Sequence, residues 1–235
     1  MKTLFTKMLL IAGLAASAAL AQESPAKKGH DAGVGVRVAF DYDMMYGFEE
    51  PDDDFTDDPT GFGFEAGLTA RVEMVNNLYF VPEVDFNYSS TNHSAGRNER
   101  TYSSMNLEIP LMFRGVVAER FYVNAGAQLN LRLASNVDAP TYHTDPITHK
   151  EVKEEMDDFE QGAFSFGIVA GGGVFVMDQV SIDLRFYMGM SELFPDADYI
   201  GGGFSNMDEI KHPSSIDMAG AKMMSIKLGV NFWFI

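Results

Sequence analysis

The chain contains no cysteine. That excludes disulfides, thiolate metal sites, a cysteine nucleophile and a lipid anchor on cysteine. Basic residues are scarce, with 17 Lys and Arg against 34 Asp and Glu, a formal net charge of −17 over 235 residues. Binding to nucleic acid, which needs Lys and Arg clustered over phosphates, is excluded on that ground. No stretch has the roughly 18 consecutive apolar residues that a spanning helix needs, so no helix is expected to cross a membrane. Tryptophan occurs once, as Trp233.

What is present begins with an export signal. Lys2 and Lys7 make a positive N-terminal region, residues 8–20 (MLLIAGLAASAAL) a short apolar core, and Ala19-Leu20-Ala21 a small-x-small cleavage pattern. Residues 1–21 are read as a secretory signal peptide cleaved after Ala21. Residues 22–31 then form a periplasmic segment and 32–235 a single domain.

The C-terminal run KMMSIKLGVNFWFI sets the pattern for that domain. Met224, Ile226, Leu228, Val230, Phe232 and Phe234 alternate with Ser225, Lys227, Gly229, Asn231 and Trp233. A period of two marks a strand, because successive side chains point to opposite faces. Seven further segments repeat it. The first puts Arg37, Asp41 and Asp43 opposite Val36, Val38 and Phe40. The second puts Glu65, Arg71 and Glu73 opposite Phe62, Phe64 and Leu68. The third puts Glu83 and Asp85 opposite Val84, Phe86 and Tyr88, and the fourth Glu108 and Arg114 opposite Leu107, Ile109 and Phe113. The fifth sets Asn124, Gln128, Asn130 and Arg132 against Phe121, Val123 and Leu131. Ser165, Gly167, Gly171 and Gly173 face Phe164, Phe166 and Ile168 in the sixth; Asp183 and Arg185 face Ile182, Leu184 and Phe186 in the seventh.

Eight such segments, each about 9–11 residues or slightly longer, fit tilted strands crossing a bilayer. Connections alternate in length. Asn76-Asn77, residues 118–120 and residues 177–179 are short; 45–61, 90–100, 135–161 and 193–221 are long. Short periplasmic turns and long external loops are the arrangement of an outer-membrane barrel. The fold class expected is all-β, a transmembrane antiparallel up-and-down β-barrel of eight strands. A soluble barrel with its apolar face inward is the rival, and volume decides against it. An eight-stranded interior is filled by a modest set of side chains, too few places for all the Phe, Leu, Ile and Met of the apolar faces. Pairing of the last strand with the first then leaves no open edge in hydrocarbon, and Phe232, Trp233 and Phe234 are placed in an aromatic girdle at the periplasmic interface.

LEIPLMFRG (107–115) followed by FYVNAGAQLNLRL (121–133), and then FGIVAGGGVFVMDQVSIDLRFYMGMSELF (166–194), resemble the outer-membrane β-barrel domain family common in Bacteroidetes. The resemblance covers nearly the whole chain after the signal. It implies a scaffold rather than a chemistry: most members have no defined biochemical role, some are labelled porin-like, and one related group supports a gliding and protein-secretion machinery.

The polar face supplies the candidate site. Asp41, Asp43, Glu65, Glu73, Glu83, Asp85, Glu108 and Asp183 face Arg37, Arg71, Arg114, Arg132, Arg185 and Lys227. In so narrow a lumen they must pair, because an isolated buried charge costs several kcal/mol. The pairing reads as an ionic network that braces the wall; a narrow ion path is the alternative. Pro110, on the same face, reads as a bulge or kink. Gly171 to Gly173 read as a bend in the wall, or else as clearance for a bulky neighbour such as Tyr187.

Residues 49–58 and 151–160 are densely acidic. Asp52, Asp54, Thr56 and Asp58 resemble a calcium loop, but Asp57 stands where that loop needs glycine and Gly63 where it needs glutamate. Solvated acidic loops that keep their distance from anionic lipopolysaccharide, or share divalent cations with it, are the plainer expectation. Of the histidines, His93 adjoins Ser94 and His143 and His149 flank Asp145, without a nucleophile–base pattern. No catalytic site, metal site or cofactor is expected. The expected partners are outer-membrane lipid and lipopolysaccharide, with divalent cations at the acidic loops, and an unidentified protein at the surface; the barrel is expected to be a monomer. The role expected is structural, adhesive or interactive, with a small porin as first alternative and a secretion-machinery component as second.

Overall fold

In the computed structural model, residues 33–47, 59–95, 98–117, 120–138, 140–144, 151–155, 162–193 and 220–234 are described. They contain strands and turns and no helix. The strands are β1 (Gly33–Tyr46), β2 (Thr60–Val75), β3 (Leu78–Ala95), β4 (Asn98–Val116), β5 (Phe121–Asp138), β6 (Pro140–Thr144), β7 (Glu151–Glu155), β8 (Phe164–Met177), β9 (Val180–Gly189) and β10 (Lys222–Phe234). Eight of them close into an antiparallel barrel in the order β1-β10-β9-β8-β5-β4-β3-β2, and β6 and β7 pair separately. The first and last strands join along their length, from Val34 opposite Phe234 to Tyr46 opposite Lys222.

The alternating pattern faces the way volume requires. Phe62, Phe64, Leu228 and Phe234 lie outside at 56–65% exposure or, for Leu228, 54%. Arg37, Glu83 and Asp183 lie inside at 1%. On the outer wall Phe40 packs against Phe62 and Phe64, ring centroids 5.5 and 5.4 Å apart.

Turn chemistry holds at the short end. Asn77 takes φ 65° between β2 and β3, a left-handed conformation that asparagine tolerates better than most residues. At the other end the expected loop over 90–100 is instead mostly strand. β3 and β4 pair from Ala95 opposite Asn98 downward, leaving only residues 96–97 between them. The 135–161 connection likewise carries the β6–β7 hairpin. The physical cause is visible in the segment: Tyr88 to Thr91 and Thr101 to Ser104 are β-formers or hydroxyl residues, suited to a ladder that extends past the apolar band.

Two expectations about the wall are corrected. Pro110 makes no register shift. The β3–β4 ladder is simply interrupted, running to Pro82 opposite Leu111 and resuming at Asp85 opposite Glu108. A residue without an N–H explains the gap. Irregularities fall elsewhere, at Glu73/Val75, Met105/Asn106 and Phe175/Met177. The glycines of β8 do clear space, but Gly173 clears it for the ring of Tyr122, with which a Cβ would collide. Tyr187 lies against Gly167 instead.

Candidate functional site

The lumen is built by strand parity. Odd-numbered residues of β1, β2, β3, β8, β9 and β10 point inward, as do even-numbered residues of β4 and β5. At its centre three cations and four carboxylates form one network. Arg37 donates from Nε to Glu65 Oε1 at 2.7 Å and from Nη1 to Asp183 Oδ1 at 2.8 Å. Arg185 donates from Nη2 to Glu83 Oε1 at 3.1 Å and to Asp183 Oδ2 at 2.9 Å. Lys227 Nζ lies 2.7 Å from Glu65 Oε2 and also pairs with Glu108. Thr69 donates to Glu83 at 2.8 Å, Gln128 to Glu108 at 2.9 Å and Asn231 to Asp183 at 2.9 Å, meeting further lone pairs. Each arginine binds two carboxylates, the use for which a planar fork is suited.

Glycine makes this density possible. A Cβ on Gly229 would occupy the position of the Arg37 guanidinium, and one on Gly67 that of the Asp85 carboxylate. The polar face therefore alternates large charged residues with none at all across neighbouring strands, which lets opposite walls reach one another.

The remaining sequence-predicted residues stand apart from this network. Asp41 accepts from Asn87, and Asp43 accepts from Ser225, both nearer the long-loop end. Asp85 is fully buried, and neither of its oxygens has a hydrogen-bond partner among the described residues. Arg132 donates to the Gly162 carbonyl at 2.9 Å, part-buried near the long loops. Glu73 is half-buried near the short turns. Arg71 and Arg114 meet aromatic rings. The Arg71 guanidinium carbon lies 4.5 Å from the Trp233 ring centroid, and that of Arg114 lies 4.1 Å from Tyr122. Arg114 is held from Nε by Asn124 Oδ1 at 2.9 Å.

Trp233 is the main correction. It points into the lumen at 2% exposure, its Nε1 donating to Ser181 Oγ at 3.1 Å, and it is not part of an interfacial girdle; only its neighbours Phe232 and Phe234 face outward. With Tyr122 and Phe175 it forms an apolar cluster at the short-turn end. A second cluster of Tyr79, Val81, Met112 and Val169 adjoins it through Val116. Sequence reasoning missed Val81, Met112, Val169 and Phe175 as lumen residues. Their signal was parity: each sits at an inward position of its strand, where its apolar character concealed it.

Trp233, Arg37, Glu83, Asp183, Asp41 and Asn231 are each at most 2% exposed, so solvent barely touches these side chains of the two layers. Among the described residues no group of His, Asp and Glu could hold a metal ion. The acidic segment 49–58 falls wholly outside the described residues, as do His30, His149, His212 and the side chains of His93 and His143. The calcium-loop residues Asp52, Asp54, Thr56 and Asp58 lie outside the described residues, and Gly63 lies inside β2.

The model of a family described as outer membrane protein beta-barrel domain matches residues 20–195. No curated protein matches the chain. Among solved structures it is similar to Neisserial surface protein A at 13% identity and TM-score 0.45, covering 87% of this chain and all of that one. Ail, the attachment invasion locus protein of Yersinia pestis, matches at 13% identity and TM-score 0.38, with 87% and 100% covered. OprG from Pseudomonas aeruginosa matches at 11% and 0.41, with 88% and 98% covered. Likeness at this level says nothing about activity.

Proposed function

The chain belongs to the outer membrane protein beta-barrel domain family and resides in the outer membrane, and from that premise we propose that it is a non-conducting, non-enzymatic barrel. Its role lies in supporting the envelope or in what it presents at the surface, an adhesive or protein-binding contact made by the long loops. One observation carries this reading: the lumen is filled. A ring of paired charges and an aromatic layer, each essentially without solvent, leave the interior to brace the wall. An eight-stranded wall has room for little else.

The rest of the proposal follows from sequence. The N-terminal segment is a signal peptide cleaved after Ala21, the barrel is a monomer, and its acidic loops share divalent cations with lipopolysaccharide. The likeness of residues 107–133 to Bacteroidetes barrels supports placing it among them, without assigning it to secretion machinery.

Conductance of the refolded protein in a planar bilayer tests the central claim, with heat-dependent gel mobility establishing that the barrel has formed. A folded protein with a silent trace is expected. Steady, ion-selective openings would replace this reading with a small porin whose lumen charges are the functional site.

A further inference from the structure

Outside the lumen, the rim of the barrel at the long-loop end holds an unusual row. Met44 of β1 stands directly opposite Met224 of β10, and Met224 directly opposite Met188 of β9. All three share the outward parity of their strands, so their side chains leave the same face of three adjacent strands. Met188 is 38% exposed, and Met190, two residues further toward the loops on the same face, is 55% exposed. Lys222 and Tyr46, the next outward positions of β10 and β1, are opposite one another. A lysine and a tyrosine at that level mark the interface between hydrocarbon and water, so the methionines lie within reach of the aqueous phase.

We propose that Met44, Met188 and Met224 form a binding site for one soft monovalent cation, Cu(I) or its analogue Ag(I), at the outer rim of the barrel. Thioethers select soft metals, and hard cations prefer oxygen. Cross-strand neighbours stand about 5 Å apart at Cβ, and the two flanking methionines are separated by two strand spacings of about 4.8 Å each. Unbranched side chains with three rotatable bonds can close that span onto an ion held above the middle residue. Methionine also faces outward singly elsewhere on the wall, as at Met74, Met105 and Met177; what sets this row apart among the described residues is that three methionines are direct neighbours across adjacent strands at one level. The site is independent of whether the lumen conducts.

Ag(I), which needs no reductant, is the probe. The full refolded chain is titrated calorimetrically in chloride-free buffer beside the triple variant Met44→Leu, Met188→Leu, Met224→Leu. Leucine keeps the volume and apolar character, and heat-dependent mobility verifies that the variant folds. A second variant, Met74→Leu with Met177→Leu, removes two exposed methionines at the opposite end of the barrel. The expected result is one Ag(I) per barrel, bound at least tenfold more weakly by the triple variant and unchanged in the control. Absence of saturable binding overturns the proposal. So does binding that survives the triple variant, or that the control variant weakens equally.

Discussion

Arg37 shows what one lumen residue holds together. Its guanidinium bridges Glu65 and Asp183 with almost no solvent contact, and it fits because Gly229 has no side chain. Arg37→Met leaves two buried carboxylates short of a partner, and removing one member of a buried pair costs about 3–5 kcal/mol. Urea unfolding of the refolded barrel should show a loss of that order. Gly229→Val places atoms where the guanidinium lies and should destabilise comparably; an unchanged midpoint for either would mean the network contributes little. Trp233 offers an optical check, being the sole tryptophan. Sheltered inside the lumen between two arginines, it should be quenched weakly by acrylamide and by brominated lipid alike. Strong quenching by the lipid would return it to an outward girdle position.

At the scale of strands, the wall is uneven. β3, β4 and β5 rise past their neighbours: β2 meets β3 only as far as Asn92, and the β8 side meets β5 only as far as Arg132, whose N–H donates to the Ala163 carbonyl. Backbone groups above those points have a ladder partner on one side alone, so they open with less free energy than the closed girdle below. Hydrogen exchange in nanodiscs should therefore give high protection from Val36 to Tyr42 in β1 and from Ile226 to Phe232 in β10. Faster exchange is expected for Leu133 to Asn136. Uniform protection along β5 would mean that another segment completes its upper edge. Which extensions the sequence disclosed follows from the same geometry. Alternation persists only while one face is apolar, so the polar ends of β3 and β4 read as loop although their backbone continues as strand.

For the molecule as a whole, the arrangement in the membrane is open to a direct test. Short turns belong to the periplasm in barrels of this kind. An epitope inserted near residue 53 should be labelled on intact cells, and one at Asn76-Asn77 only after the outer membrane is opened; the reverse labelling would invert the assigned orientation. The same architecture explains why a chain with twice as many acids as bases folds around a nearly balanced interior. Its central layer sets three cations against four carboxylates, and most of the surplus lies in the connecting segments.

The sequence by itself determined the eight barrel strands, their inward and outward faces, the short turns at one end, and hence the barrel. Those are consequences of side-chain parity and local turn chemistry, which neighbouring residues specify. Only the tertiary structure decided who pairs with whom inside. Arg37 of β1 meets Asp183 of β9, the next strand but one, across 146 residues of chain, and Lys227 of β10 meets Glu108 of β4 on the opposite wall across 119, because closure, strand tilt and stagger bring these side chains to one level. The same closure turned Trp233 from a girdle residue into a lumen seal, and left Asp85 without a hydrogen-bond partner among the described residues while its neighbour Glu83 binds Arg185. Parity states which face a residue takes; only the closed wall sets its height and its neighbours.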